Sequence, residues 1–142
     1  MSVHWSAEDG WECQQLLLKI SWLLDHGGLK DIDECFVAEP TIQLFGNVIS
    51  GLANVKAVFY ERTVDRVTRH ANSPSLIDPL PGGDEARART YVTVYRADQS
   101  DDPAPRPLDG PVNFVEYDDT LVREDGVWKV SRRKVSMIFL RS

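Results

Sequence analysis

Hydrophobic positions in the first part of the chain recur three and four residues apart, which is the spacing of one helix face. The run Ser6-Ala-Glu-Asp9 is typical of a helix N-cap with an acidic first turn. Gly27-Gly28 is typical of a helix end, because glycine adopts the left-handed conformation without strain. The pattern therefore predicts one long N-terminal helix, whose apolar positions include Trp11, Leu17, Leu18 and Leu24.

Two shorter helices and a hairpin are predicted next. The first helix carries apolar residues from Leu29 to Phe36 and is expected to end at Pro40. The range 41–50 reads as a small hairpin that turns at Gly46-Asn47. Gly51 leads into a third helix, whose apolar face would contain Leu52, Val55, Val58 and Phe59.

The pattern changes to strands after Arg69-His70, which we place at the start of a strand-like stretch. Strands are predicted at 75–80, 86–96, 112–124 and 127–140, the last two joined by a tight Glu-Asp-Gly turn. The acidic, proline-rich segment from Asp98 to Gly110 is expected to be a mobile hairpin tip. Helices followed by a curved antiparallel sheet indicate one α+β domain over residues 1–142, and helices over a bent sheet leave an internal cavity.

Composition and charge exclude several classes of function. The chain has 142 residues and a formal net charge of −6, without a basic stripe, so nucleic acid is not an expected partner. The longest apolar stretch, Leu16 to Leu24, is too short to span a membrane, and no signal peptide is evident. Cys13 and Cys35 fit no metal motif and are expected to be reduced thiols in the cytoplasm. No metal or cofactor is expected.

Asp25 and His70 are the first candidates for chemistry. Asp25 follows Leu18 by seven residues and Trp22 by three, so it is expected to continue an apolar helix face, where a carboxylate needs a partner. The alternative is an exposed acid at the helix end. His70 alone carries little information, but a carboxylate can hold one ring nitrogen and leave the other to act as a base near neutral pH.

Further candidates come from the predicted strands. Arg133 shares strand parity with Val135, which points it inward, although a bulge would exchange it with Arg132. An inward guanidinium would stabilise an oxyanion or a leaving group, and the alternative is a surface arginine paired with Asp118 or Glu116. Trp22, Tyr91 and Tyr117 are candidate substrate-binding residues in the cavity. Asp119 is either a second inward acid or an exposed polar residue of a strand, and we favour the exposed position.

The order of these features resembles the SnoaL-like branch of the nuclear transport factor 2-like superfamily. The resemblance rests on the helix that ends in Asp25-His26-Gly27-Gly28, on Arg69-His70, and on two longer strings. These strings are Asp84-Glu-Ala-x-Ala-x-Thr-Tyr-Val and Tyr117-x-Asp119-x-Leu121-Val-Arg-Glu-Asp-Gly-Val-Trp128-Lys-Val-x-x-Arg133. The resemblance covers about Ala7 to Val135.

That resemblance implies a cone-shaped α+β barrel with one cavity, in a family that contains dehydratases, dehydrochlorinases, polyketide cyclases, steroid isomerases and catalytically silent members. The catalytic roles of its dehydratases and dehydrochlorinases would fall here on Asp25, His70 and Arg133. Such members usually carry Tyr or Lys five residues before the aspartate, where this chain has Ile20.

The sequence thus predicts a cofactor-independent lyase or isomerase that acts on a small, largely apolar, cyclic or polyketide-like substrate. A non-catalytic ligand-binding or assembly subunit, such as the small subunit of an oxygenase, is the alternative. Apolar residues at both inward and outward positions, as in 112–115 and 137–140, predict a homo-oligomer, most simply a dimer through the outer face of the sheet.

Overall fold

Seven strands form one curved, mixed sheet that does not close into a barrel. The computed structural model describes residues 5–63, 66–98, 104–108 and 112–141. Two α-helices and one 3-10 helix accompany the sheet, which confirms the predicted α+β class. The elements are α1 (Ala7–His26), a 3-10 helix (Leu29–Glu34), β1 (Phe36–Leu44), β2 (Asn47–Ser50), α2 (Leu52–Thr63), β3 (Arg66–Asn72), β4 (Leu76–Pro79), β5 (Glu85–Asp98), β6 (Val112–Glu124) and β7 (Val127–Arg141).

The strand order places the first strand beside the last one. The order is β2-β1-β7-β6-β5-β3, and β4 pairs with the other half of β5. Strands β1 and β7 are parallel, whereas all other pairs are antiparallel. Helix α1 packs on β3 and helix α2 packs on β1, so both helices cover the inner face of the sheet.

Helix α1 is fixed at both ends by local sequence. Ser6 and Asp9 form a capping box, in which each side chain binds the backbone of the other residue. Gly27 ends the helix in the left-handed conformation with φ 77°, and its N–H donates to the carbonyl of Leu23. Asp25 is therefore held in the last turn of α1, next to the sheet.

The long strands alternate between a buried inner face and a solvent-facing outer face. In β5 the side chains at 86, 88, 90, 92 and 94 are buried, while those at 87, 89 and 91 are exposed. The inner side chains pack with the buried face of α1, and this core includes Leu17, Ile20, Phe36, Leu121 and Val130. This alternation decides which strand residues can reach a cavity.

Two predicted elements differ from the structure. Strand β3 begins at Arg66, so Arg69-His70 lies inside this strand rather than at its start. The other difference precedes β1. The expected helix from Leu29 to Phe36 is a short 3-10 helix that ends at Glu34, and Phe36 already begins β1. Pro40 lies inside β1 rather than ending a helix. The strand accommodates it at an irregularity of the β1–β7 register between Phe36 and Thr41, where the missing N–H of proline breaks no regular ladder.

The predicted mobile segment lies largely outside the described residues. Asp98 belongs to β5, and residues 104–108 carry no helix or strand, whereas 99–103 and 109–111 are not described. The expectation of a mobile tip stays a prediction.

Candidate active site

A cavity lies between the two α-helices and the inner face of the sheet. It contains about 670 Å³ of space between atoms, counting the part open to solvent, and the centres of water molecules could occupy about 50 Å³ of it. The space is narrow and suits a small or flat ligand. Its lining comprises Leu24, Ile42, Leu44, Phe45, Val58, Phe59, Arg66, Thr68, His70, Val94, Arg96, Asn113, Val115, Tyr117, Arg133 and Val135.

Asp25 lies behind the cavity wall and binds two residues of β3. Its carboxylate accepts hydrogen bonds from the Thr68 hydroxyl at 2.9 Å and from the backbone N–H of His70 at 2.8 Å. The side chain of Asp25 is only 5% exposed. Burial alone would raise the pKa of Asp25, but the hydrogen bonds from His70 and Thr68 outweigh it and lower the pKa.

His70 connects this buried carboxylate to the cavity. Its Nδ1 lies 2.5 Å from Oδ1 of Asp25, and its side chain is 1% exposed. Because an ionised carboxylate only accepts hydrogen bonds, Nδ1 is the protonated nitrogen and Nε2 is the basic one in the neutral ring. The ring lines the cavity because Arg66, Thr68 and His70 occupy alternate positions on β3.

Arg133 lies in the same cavity, paired with Asp119. Its Nε and Nη2 donate to the two oxygens of Asp119 at 2.7 and 3.1 Å, and both side chains are almost fully buried. The guanidinium lies over the Tyr117 ring, 3.9 Å from its centroid. Burial works against the charge, but Asp119 outweighs it and raises the pKa of Arg133. The arginine is a fixed cation in the cavity wall.

The strand parity of Arg133 agrees with the inward prediction. Arg132 is exposed on the outer face, and Arg133 is buried at 2% exposure. The pairing with Asp119 was missed, because Asp119 was interpreted as an exposed residue, and that interpretation is wrong. Asp119 has the same parity in β6 as Tyr117 and Leu121, so the alternation already placed it inside.

Two predicted substrate-binding residues lie outside this cavity. Trp22 is 64% exposed and stacks on His26, with ring centroids 4.0 Å apart. Tyr91 is 58% exposed on the outer face of the sheet, where it touches Phe114. Of the three candidates, only Tyr117 lines the cavity. The structure thus corrects the expectation that Trp22 and Tyr91 belong to the same site as His70.

The buried face of α1 differs from the face that the sequence predicts. Leu18 and Trp22 are both exposed, so they do not form an apolar stripe that leads to the core. The buried face of α1 instead runs through Leu17, Ser21 and Leu24, and Asp25 follows Ser21 by one turn. Asp25 therefore reaches β3 from a different face than the sequence argument assumed.

Other residues of the site were not recognised in the sequence. Thr68 holds Asp25, and Arg66, Arg96 and Asn113 line the cavity. The period-two pattern of β3 would have indicated Arg66 and Thr68 once His70 was placed inside. Arg96 and Asn113 could be found only from the register of β5 with β3 and β6.

Residues 5–134 match the family model of the SnoaL-like domain. The chain belongs to this family. The match covers nearly all of the described residues and confirms the resemblance of the sequence to SnoaL-like proteins. Its description names a domain rather than a reaction.

Solved structures share the fold of this SnoaL-like chain. A provisionally assigned scytalone dehydratase from Novosphingobium aromaticivorans has a TM-score of 0.75 at 23% identity, covering 92% of this chain and 84% of its own. A hexachlorocyclohexane dehydrochlorinase, LinA type 2, has a TM-score of 0.75 at 13% identity, with coverages of 92% and 85%. A provisionally assigned aromatic ring hydroxylase from N. aromaticivorans has a TM-score of 0.76 at 20% identity, with coverages of 96% and 94%. No curated protein matches the sequence significantly.

The described residues contain neither a candidate metal cluster nor a candidate membrane-spanning helix. No three His, Cys, Asp or Glu side chains in that part of the chain are grouped so that they could hold a metal ion. None of its helices combines the length and the apolar character that crossing a membrane requires. The expectation of a cofactor-independent reaction stays a prediction.

Proposed function

We propose that this SnoaL-like protein is a lyase or isomerase that removes a proton from a carbon atom of a small cyclic or polyketide-like substrate. The observation that carries the proposal is the position of His70, which lines the cavity while its Nδ1 binds the buried Asp25. An imidazole with one nitrogen fixed by a carboxylate and the other directed to a ligand is a general base.

The proton transfer follows from this arrangement. Asp25 accepts the Nδ1 proton, so Nε2 of His70 carries the lone pair that takes the proton from carbon. As the ring becomes cationic, the nearby negative charge of Asp25 stabilises it. The electron pair of the C–H bond then forms a double bond, either as an enolate or with departure of a leaving group on the neighbouring carbon.

Arg133 would bind the group that becomes negative. Two of its N–H groups are used by Asp119, which fixes the plane of the guanidinium. The remaining donors are available to a carbonyl oxygen or a departing group. Because Asp119 and Tyr117 hold it in position, the cation needs no rearrangement when charge develops.

The lining supports a substrate that is mostly apolar. Nine of its side chains are aliphatic or phenyl groups, and they surround the polar atoms of His70, Tyr117 and Arg133. The narrow space favours a planar ring. Ile20, which replaces the tyrosine or lysine of the family pattern, is fully buried in the core and is not part of this lining.

Carbon acidity can be tested before the natural substrate is known. We would incubate the protein with 1-tetralone and 2-tetralone in D₂O and follow deuterium incorporation by proton NMR. His70→Ala should lower the rate of exchange by roughly 10²-fold or more, since the base is lost. Asp25→Asn should lower it by about 10-fold or more, since the carboxylate no longer orients the ring or stabilises its cation.

His26→Ala is the matched control, because His26 is an exposed histidine that stacks on Trp22. It should exchange at the wild-type rate. An active wild type whose rate is unchanged by His70→Ala would eliminate His70 as the base. No exchange above the uncatalysed rate with either ketone would count for the non-catalytic alternative.

That alternative is a ligand-binding or assembly subunit of an oxygenase. It is supported by the fold shared with the provisionally assigned aromatic ring hydroxylase and by Ile20 in place of a polar residue. A neighbouring gene for a large oxygenase subunit, and a stable complex of the two purified proteins, would favour it. If the protein is such a subunit, the wild type turns over no substrate, and substitutions at His70 should change only ligand binding or assembly.

We also propose a homodimer and a cytoplasmic location. The dimer is supported by an exposed aromatic patch, which we define as Tyr91, Phe114 and Phe139 on the outer face of the sheet. The location is supported by Cys13 and Cys35, which are both buried free thiols. Burial raises the pKa of Cys13 to about 12 and that of Cys35 to about 11, as expected of unreactive core thiols.

A further inference from the structure

The charged residues that line the cavity are all basic. Arg66, Arg96 and Arg133 contribute guanidinium groups beside His70, and the described lining contains no aspartate or glutamate. A substrate that is only apolar needs no such excess of positive charge. These cations differ in whether a carboxylate of the protein lies beside them.

Three of the four basic groups have an acidic neighbour. Asp119 binds Arg133, and Asp25 binds His70. On the two antiparallel strands β3 and β5, Arg66 lies directly opposite Asp98, so their side chains leave the same face of the sheet.

Arg96 differs from these groups, because its partner across the strands is the neutral Thr68. Within the described residues no carboxylate forms an ion pair with Arg96. It is half-buried and lines the cavity. A cation in such a place gains from an anionic partner, which a ligand can supply.

The register places Arg96 close to the proposed base. Val94 lies opposite His70, and Arg96 is two residues further along β5 on the same face. Diagonal neighbours of this kind have Cβ atoms roughly 7–8 Å apart or slightly less. This distance separates the two ends of one aromatic ring with a substituent, so a ligand could contact both residues at once.

Asn113 provides a second observation at the same place. It lies opposite Val94 on the other side, and its Oδ1 is buried in the cavity wall without a hydrogen-bond partner. Buried polar atoms are normally hydrogen-bonded, and a ligand in the cavity can supply the partner that this amide lacks. The amide has almost the same shape when turned by 180°, so it can present either Oδ1 or the donating Nδ2.

We propose that the substrate carries a carboxylate, and that Arg96 binds this carboxylate beside the amide of Asn113. This inference rests on the proposed function for the place of the reacting carbon, but the binding itself does not require turnover. The planar fork of arginine matches the two oxygens of a carboxylate. The apolar walls take the ring, and the carbon that loses its proton to His70 is one next to a carbonyl or to a carbon that bears a leaving group. Arg96 is thus a specificity-determining residue.

Binding of benzoate and of the neutral benzamide, which have nearly the same shape, tests the proposal. Chemical shifts of the backbone amides of β3 and β5 would be titrated by NMR, with each ligand, at low and high salt. The wild type should bind benzoate about 10-fold more tightly than benzamide, and salt should reduce the difference. Arg96→Gln should remove the preference, whereas Arg96→Lys should keep part of it.

Arg132→Gln is the matched control, because Arg132 lies on the outer face of β7 and is exposed. It should leave both affinities unchanged. Equal binding of the two ligands by the wild type, no saturable binding of benzoate, or a preference that survives Arg96→Gln would each overturn the proposal. Loss of the preference in both Arg96→Gln and Arg132→Gln would also overturn it, since the effect would then be one of net charge.

The same measurement separates this inference from the proposed reaction. His70→Ala should retain the preference for benzoate, because Arg96 and Asn113 are untouched. A preference for benzoate in a protein that exchanges no carbon-bound proton would support the binding site and reject the base. Exchange by a wild type that binds benzoate and benzamide equally would reject the carboxylate site and keep the base.

Discussion

Asp25 is the residue on which the geometry of the candidate site depends. It belongs to the last turn of α1, yet all three of its hydrogen bonds go to β3. A hydrogen bond to a charged group contributes about 1.5–3 kcal/mol to stability. Asp25 therefore joins a helix to a strand and orients His70 with the same carboxylate.

The charge of Asp25 should be visible as pH-dependent stability. The pKa of Asp25 is lowered in the folded protein, so its charge adds stability that is complete above pH of about 4 and is lost as pH falls through the lowered pKa. Asp25→Asn should thus cost about 1–3 kcal/mol at pH 7, and this difference should shrink below pH of about 4. Urea denaturation at a series of pH values measures it.

The control for this prediction is Asp31→Asn, because Asp31 is exposed and makes no ion pair within the described residues. It should change the free energy of unfolding little at any pH. A difference between wild type and Asp25→Asn that stays constant from pH 7 to pH 3 would contradict a role of the charge.

At the scale of the element, Arg133 and Asp119 connect β7 to β6 from inside the cavity. Their Cα atoms are partners in the register of these strands, and the side chains form the buried pair. Arg133→Met should destabilise the protein by about 3–5 kcal/mol, because it leaves the carboxylate of Asp119 buried without a partner. The double variant Asp119→Leu, Arg133→Met should recover most of that loss and remain inactive in deuterium exchange.

Arg87→Met provides the comparison on the outer face, where Arg87 binds Asp118 with two hydrogen bonds in an exposed position. Water screens that pair, so Arg87→Met should lower the free energy of unfolding, measured by urea denaturation, much less than Arg133→Met does. If Arg133→Met is no more destabilising than Arg87→Met, or if the double variant is less stable than the single one, the buried pair does not have the proposed role.

The strands were predictable because each of them repeats one rule. More buried and more exposed residues alternate through 85–95 in β5 and 114–122 in β6, and through 127–135 in β7 apart from a register irregularity near Ser131. The predicted bounds of these three strands differ from the observed ones by two residues or fewer. The start of β1 was not predictable, because the apolar residues from Leu29 to Phe36 are too few to distinguish a helix from a strand. Asp119 follows the same alternation although it is charged. It was predicted to be exposed because of its charge, whereas its position in β6 already indicated the inner face.

The site was only partly predictable for a related reason. The contact between Asp25 and His70 was expected from residue types and from the resemblance. The apolar helix face on which Asp25 was placed was wrong, because Leu18 and Trp22 are exposed. Arg96 and Asn113 enter the cavity through pairing between distant strands. No local pattern contains that register, because it is set by how the whole sheet packs.

At the scale of the molecule, the outer face of the sheet has no cover from the described residues. The aromatic patch has ring centroids 5.5 and 5.7 Å apart, and Tyr91 and Phe139 are 58% and 67% exposed. Helices cover only the inner face. An exposed cluster of aromatic side chains is typical of an interface, since its burial removes apolar area from water.

We therefore expect a dimer at micromolar concentration in analytical ultracentrifugation. Phe139→Ser should shift it toward the monomer, because it removes the most exposed ring of the patch. Val127→Ser is the control, because Val127 is an apolar residue with 52% exposure at the other end of β7. A wild type that sediments as a monomer, or a dimer that both substitutions weaken equally, would contradict this interface.

The alternation along β5 has a consequence for how such a protein can change over evolutionary time. Val92 and Val94 face the interior, while Tyr91, between Thr90 and Val92, faces outward. Neighbouring residues of β5 therefore face opposite sides of the sheet, and a mutation that changes ligand specificity on the inner side leaves the outer surface chemically unchanged. Descendants of this protein could therefore acquire a new substrate while the outward residues of the proposed dimer interface stay the same, and a laboratory library restricted to Val94 and Arg96 would vary the ligand cavity without changing that outer face.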